Sequence, residues 1–275
     1  MQQKKESDTL ALMIIDILFF ALTGICAGFL SGLLGIGGGI VTIPLLVLIF
    51  TRMDIAPSLI MHLAIGTSLA SMTFNTFSAS FSHYRKKAVL FPIIKPMAIG
   101  IVVGTSIGAM IAHFATSSFL KIFFGCFELL VGIRFLLPDR KLGKDTKLPS
   151  FWPLSTIALG VATLSAMLGI GGGILNVPIL SHFHVPIKKA IGTASALSFL
   201  ISLFAALYFL LFGIHSAKLH DAVGYLYLPA FIAISLSSMI AAPLGAMLAH
   251  RLHTTILKKI FALALLIAGA VMILK

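Results

Sequence analysis

Two identical glycine-rich blocks hold the residues best suited to chemistry in this chain. Leu34-Gly35-Ile36-Gly37-Gly38-Gly39-Ile40 recurs as Leu168-Gly169-Ile170-Gly171-Gly172-Gly173-Ile174. Three consecutive glycines interrupt a helix, because glycine lacks a Cβ and costs about 1 kcal/mol per residue in a helix interior. The segment that follows starts a new helix, whose first amides lack partners in the helical ladder and carry partial positive charge. The chemistry this arrangement offers is capture of an anion by backbone N–H groups. Gly35, Gly37, Gly38 and Gly39, with Gly169, Gly171, Gly172 and Gly173, are therefore candidate substrate-binding residues. The plainer alternative is that these glycines only let membrane helices approach closely. Pro44 and Pro178 each stand five residues beyond the last glycine and are assigned a structural role.

Small polar residues follow each block at matching places. Thr42 and Asn176 lie three residues past their glycines, and Ala64-Ile65-Gly66-Thr67 recurs as Ala190-Ile191-Gly192-Thr193. Thr67, Ser68, Thr193 and Ser195, with Asn75 further along, could hold an oxyanion without a buried formal charge. Most membrane Ser and Thr instead bond to their own helix. Two acidic residues fall within apolar runs. Glu128 is a candidate proton-coupling residue, with an ion pair to Lys121 or Arg134 as the alternative. Asp16 is the weaker candidate, being near enough to a helix start to be solvated.

Other chemistries find little support. Gly35-Ile36-Gly37 opens like a dinucleotide fingerprint, but Ile40 takes the third glycine's place and no strand-turn-helix context exists. The histidines of His182-Phe183-His184 and His250-Arg251-Leu252-His253 are expected in loops or at helix ends, with no acidic or thiol partners. No metal site and no cofactor are expected. Cys26 and Cys126 lie inside apolar stretches and are expected to be buried free thiols.

The elements that must position these residues are membrane helices. The chain is 59% hydrophobic and only 10% charged, with a mean hydropathy of +1.10, far from a soluble domain at roughly a quarter charged. Several apolar runs exceed the ~18 residues that mark a spanning helix, and the alternating strands of an outer-membrane barrel are absent. The net charge of +12 resides in short loops, as cytoplasmic retention of Lys and Arg requires. Nucleic-acid binding is not implied; the lipid bilayer is the expected environment.

Met1 to Thr9 reads as a soluble tail, and no removable signal peptide is evident. Apolar segments then follow at Leu10–Leu34, Ile40–Phe50, Leu59–Ser82, Ala88–His113 and Phe119–Leu137. A polar linker spans Pro138 to Pro149. A second series comprises Phe151–Leu168, a short segment from Ile174, Ala190–Gly213, Ala222–Ala249 and Thr254–Leu274. The series match: after the glycine block and A-I-G-T, Gly108-Ala109-Met110-Ile111-Ala112-His113 pairs with Gly245-Ala246-Met247-Leu248-Ala249-His250. The predicted fold is an all-α polytopic membrane protein of two homologous halves, residues 10–137 and 150–275. About eight membrane segments are expected, with a glycine-broken segment in each half. Duplicated helical membrane proteins are mostly transporters with a substrate site at the repeat interface. The basic turn Arg85-Lys86-Lys87 and the linker residues Arg140, Lys141, Lys144 and Lys147 are separated by two apolar runs. They are therefore predicted on one face, the cytoplasmic one.

The paired L-G-I-G-G-G blocks, the proline five residues on and the later A-I-G-T resemble the sulfite exporter TauE/SafE family of permeases, over essentially the whole chain. The resemblance implies a multi-pass inner-membrane permease for small sulfur-containing anions such as sulfite or organosulfonates, driven by an ion gradient with H+ as a candidate. Its motif residues are Gly35, Gly37, Gly38, Gly39 and Pro44, with Gly169, Gly171, Gly172, Gly173 and Pro178. The alternatives are a passive anion channel or a membrane-embedded enzyme; the latter would need a nucleophile-base or metal constellation.

Overall fold

The computed structural model describes the backbone of residues 2–34, 37–137, 148–214, 216, 219–248 and 254–274; side chains 2–13, 34, 246 and 254–261 are outside the description. Gly35, the linker residues 138–147 (with Arg140, Lys141, Lys144 and Lys147), His250, Arg251 and His253 lie outside the described residues.

Among the described residues ten helices run in the order α1 Gln2–Leu34, α2 Gly39–Arg52, α3 Pro57–Arg85, α4 Phe91–Phe114, α5 Ser117–Leu136, α6 Phe151–Leu168, α7 Gly173–His182, α8 Ile187–Gly213, α9 Leu228–Leu248 and α10 Thr254–Leu274. Six stretches among the described residues are long and apolar enough to cross a membrane. They are Ile14–Leu33, Pro57–Arg85, Phe91–Phe114, Phe151–Leu168, Ile187–Gly213 and Leu228–Gly245. The other elements differ for identifiable reasons. α2 and α7, of 14 and 10 residues, span only about 21 and 15 Å at the helical rise, against a ~30 Å hydrocarbon layer. α5 carries Lys121, Glu128 and Arg134.

Three sequence expectations need correction. α1 begins at Gln2 rather than at Leu10, so residues 2–9 are helical. The apolar run from Ala222 opens as a two-stranded hairpin, β1 Ala222–Val223 paired antiparallel with β2 Leu226–Tyr227, before α9 starts at Leu228. Gly224 at its turn (φ 59°) supplies the left-handed conformation that such tight hairpins use. Cys26 and Cys126 are exposed, not buried; each sits on an outward helix face that the apolar sequence alone does not distinguish from an inward one.

The helices pair in two matching sets. α1 lies against α9, and α4 lies against α6. In both pairs small residues bring backbones together. A Cβ on Gly24 or Gly28 would meet Ile234 and Ser238, and one on Gly245 would meet Phe29. Gly100, Gly104 and Gly108 likewise meet Ser155, Leu159 and Thr163. Contacts advance in the same direction along both chains, so each of these pairs is parallel. α3 packs on α8 and α5 on α10, and here the order reverses. Gly125 faces Gly269 and Ile273, while Gly132 faces Ala262 and Leu266. Phe77 is 5.5 Å from Phe199, whereas Gly66 shares a crevice with Leu210 near the other end. Both pairs are antiparallel.

α1 and α2 fold back as a helical hairpin, with Phe20 against Phe50 and an Arg52–Asp16 ion pair at its open end. Large apolar side chains such as Leu18, Leu22, Phe77, Leu130, Leu236 and Ile240 face outward. A water-exposed surface could not carry that much apolar area, but a lipid-facing one requires it.

Candidate functional site

The two glycine turns meet inside the bundle. α1 ends at Leu34 and α2 starts at Gly39; α6 ends at Leu168 and α7 starts at Gly173. A Cβ on Gly37 would lie 3.0 Å from Gly171 Cα, and one on Gly39 would lie 2.3 Å from the Gly169 carbonyl oxygen. Met72 of α3 reaches between the turns, its Cε within 2.8 Å of both such positions at Gly37 and Gly171. The turns therefore touch backbone to backbone, which any side chain would prevent. Gly38 and Gly172 cap α2 and α7 in left-handed conformations, φ 82° and 71°, which L-residues adopt only at a cost. Neither cap offers a side-chain acceptor to the helix amides.

The polar residues chosen from the sequence fall into distinct roles. Thr67 Oγ1 accepts a hydrogen bond of 3.0 Å from the Tyr227 amide, and Thr193 Oγ1 accepts one of 3.0 Å from the Leu90 amide. Leu90 precedes α4 as Tyr227 precedes α9. Gly66 and Gly192, one residue earlier, let the Tyr225 and Ala88 carbonyls approach to 2.2 and 2.5 Å of where a Cβ would stand. The repeated A-I-G-T is thus a seat for the chain entering α9 and α4. Ser195 bonds back to the Ile191 carbonyl at 3.0 Å, and Thr42 bonds to the Gly38 carbonyl at 3.1 Å. Ser68 alone of this group crosses to a glycine turn, donating to the Gly169 carbonyl at 3.2 Å. Pro44 and Pro178 lie inside α2 and α7.

Asn176 is different. It is buried in the first turn of α7, and among the described residues neither amide atom has a hydrogen-bond partner. The same holds for Ser165 and Ser198, which the sequence reading missed. A signal for Ser165 existed: serine stands three residues before both glycine blocks, at Ser31 and Ser165. Ser31 is paired, donating to Asn75 Oδ1 at 3.3 Å.

The acidic candidates separate. Asp16 pairs with Arg52 at the end of α2 rather than being solvated near a helix start, because α1 begins well before it. Glu128 is fully buried on α5 toward α10, where a Cβ on Gly269 would lie 3.1 Å from its own Cβ. Neither Lys121 nor Arg134 pairs with it, since both Glu128 oxygens lack a hydrogen-bond partner among the described residues. Leu265 stands four residues before Gly269 as Glu128 stands four before Gly132.

His182 and His184 fall at the end of α7, and no group of three metal-binding side chains occurs among the described residues. His62, unremarked in the sequence, is buried on α3. It joins α3 to α4 through Nε2, 3.0 Å from the Ala112 carbonyl, with its ring 5.0 Å from Tyr225.

A family model described as sulfite exporter TauE/SafE matches residues 20–272. A "probable membrane transporter protein" of Haemophilus influenzae is 33% identical over 267 residues, covering 96% of this chain and 100% of that protein. The probable membrane transporter protein YunE of Bacillus subtilis is 26% identical, covering 94% of this chain and 98% of the relative. A probable membrane transporter protein of Xylella fastidiosa is 29% identical, with 92% of each chain covered. No solved structure matches.

Proposed function

The chain belongs to the sulfite exporter TauE/SafE family of membrane transporters, and from that premise we propose that it is an inner-membrane permease for small oxyanions, with sulfite and organosulfonates as the substrate class. One observation carries this reading: two helix N-termini, α2 and α7, begin at glycine turns in direct backbone contact. Helix N-termini favour anions through free amides and the helix dipole, and non-helical backbone at membrane depth is tolerated where it is packed in protein or lines a cavity.

The helix pairing supports two halves of inverted topology, one formed by α1–α5 and the other by α6–α10. Equivalent helices α3 and α8 run antiparallel, as do α5 and α10, while α1 with α9 is repeated by α6 with α4. Five helices per half invert the second copy, a common plan for transporters. The helix directions support Arg85, Lys86, Lys87, Lys188 and Lys189 lying at one end. The excess of Lys and Arg makes that end cytoplasmic. The mechanism is alternating access, the two halves rocking about the glycine turns. Glu128, a buried carboxyl with no hydrogen-bond partner among the described residues, is the proton-coupling residue.

The test is uptake by purified protein in liposomes, with labelled sulfite, an organosulfonate, phosphate and acetate under an imposed pH gradient. Saturable, gradient-driven accumulation of at least one oxyanion, with sulfite or the sulfonate preferred, is expected. No uptake of any of the four would overturn the reading.

A further inference from the structure

The two glycine turns share their sequence and a left-handed capping glycine, Gly38 and Gly172, but treat their polar neighbours in opposite ways. Around the first turn each matching group has a partner: Ser31 donates to Asn75, and Thr42 donates to the Gly38 carbonyl. Around the second, Ser165 and Asn176 take the corresponding places and have none among the described residues. Ile201 stands where the repeat would place the counterpart of Asn75, so Ser165 cannot be satisfied as Ser31 is. Ser165 is 0% and Asn176 1% exposed, and leaving such groups unpaired costs the full desolvation penalty of each.

These orphaned atoms converge. A Cβ on Gly172, the residue capping α7, would lie 3.0 Å from Ser165 Oγ and 3.4 Å from Asn176 Nδ2. One on Gly171 would lie 3.1 Å from Ser198 Cβ, and the Ser198 hydroxyl is orphaned too. Donors from α6, α7 and α8 thus gather at the N-terminus of a 10-residue helix. Ser71 of α3 is also unpaired, but no described contact ties it to either turn.

We propose that the substrate's polar contacts come from the second turn alone, with Ser165, Asn176 and Ser198 as side-chain ligands beside Gly172, and that the first turn is a structural counterpart whose polar groups are already committed. The proposal rests on the small-oxyanion reading above. Two hydroxyls, a primary amide and helix amides form a neutral donor set. Such a set suits a small oxyanion, whose oxygens accept several hydrogen bonds at once, and the helix N-terminus supplies the electrostatic complement.

The two turns then respond oppositely to loss of a hydroxyl. Removing an unpaired buried hydroxyl spares its desolvation cost, whereas removing a paired one orphans its partner. The experiment uses the purified full chain in detergent, measuring ligand-free thermal melting and calorimetric binding of sulfite, 2-hydroxyethanesulfonate and acetate. Ser165→Ala and Asn176→Leu are expected to melt no lower than the natural protein and to bind its preferred anion at least about tenfold more weakly. Ser31→Ala is expected to melt lower and to bind with unchanged affinity. If Asn176→Leu does not fold, Ser165→Ala and Ser198→Ala decide. Unchanged affinity in the second-turn variants, with the natural protein binding normally, overturns this assignment while leaving the oxyanion reading intact. So does a loss of melting temperature in Ser165→Ala matching that of Ser31→Ala. Failure of the natural protein to bind any of the three anions instead removes the oxyanion reading, and this proposal with it.

Discussion

The first glycine turn is closed by backbone and the second is bordered by side chains, although seven residues of sequence are identical in both. A Cβ on Gly38 would meet the Ala27 carbonyl oxygen at 2.7 Å, a main-chain atom held by α1. A Cβ on Gly172 would meet the Cδ1 tip of Ile201 and the Ser165 hydroxyl, atoms that rotate away. The same motif therefore packs against main chain in one place and against buried polar and apolar side chains in the other. The capping glycines share a left-handed backbone, yet Gly37 stands at φ 89° and Gly171 is not at positive φ, so identical sequence does not make identical turns.

The largest effect that could break this comparison is in folding. Gly38→Ala should cost about 2–5 kcal/mol, from a left-handed backbone and a rigid clash together. Gly172→Ala should cost only the conformational part, roughly 1–2 kcal/mol, while intruding between Ser165 and Asn176 and weakening anion binding. Melting curves of the two variants in detergent check the difference, and equal losses would argue that the turns are equivalent. Leucine at either position reports first on folding, since both residues hold a left-handed backbone and Gly38 also faces the Ala27 main chain.

Next comes coupling, where α5 and α10 differ as the turns do: Glu128 occupies the place that Leu265 fills opposite. Glu128→Gln is expected to abolish accumulation driven by a pH gradient in liposomes while retaining anion exchange. Full driven uptake by the variant would leave Glu128 a passenger in the α5–α10 interface.

How much of this was legible beforehand depends on the range of the interactions involved. The helices, the glycine turns and the repeat are written in local composition and spacing, and most helix ends fall within a few residues of the apolar runs. The short hairpin at Ala222–Tyr227 was not legible, because its apolar residues continue the run into α9. The roles of Thr67 and Thr193 were also hidden. Both were reasonable ligands by type, yet their hydroxyls hold the Tyr227 and Leu90 amides, contacts made across long stretches of chain. That Glu128 has no partner among the described residues could not be read either, since Lys121 and Arg134 lie on its own helix yet neither bonds to it.

The A-I-G-T seats sharpen the comparison by being equivalent. Thr67→Val and Thr193→Val each leave one backbone amide without its acceptor, so each should cost about 1–3 kcal/mol, and by similar amounts. Markedly unequal melting losses would show that the two seats differ as the turns do. Smallest in effect are the topology probes. Single cysteines at positions 86 and 144 of a variant lacking Cys26 and Cys126 are expected to react with impermeant reagents only from the cytoplasmic side, with transport intact. Labelling from opposite sides would break the inverted arrangement.

Counterflow tests the central claim most directly. Liposomes holding the purified protein are loaded with unlabelled sulfite and diluted into a trace of labelled sulfite. A site that faces each side in turn predicts a transient overshoot of label inside, saturable and absent from protein-free liposomes. Label that enters without overshoot and rises linearly with concentration would mean a continuous pore, and would contradict alternating access at the glycine turns.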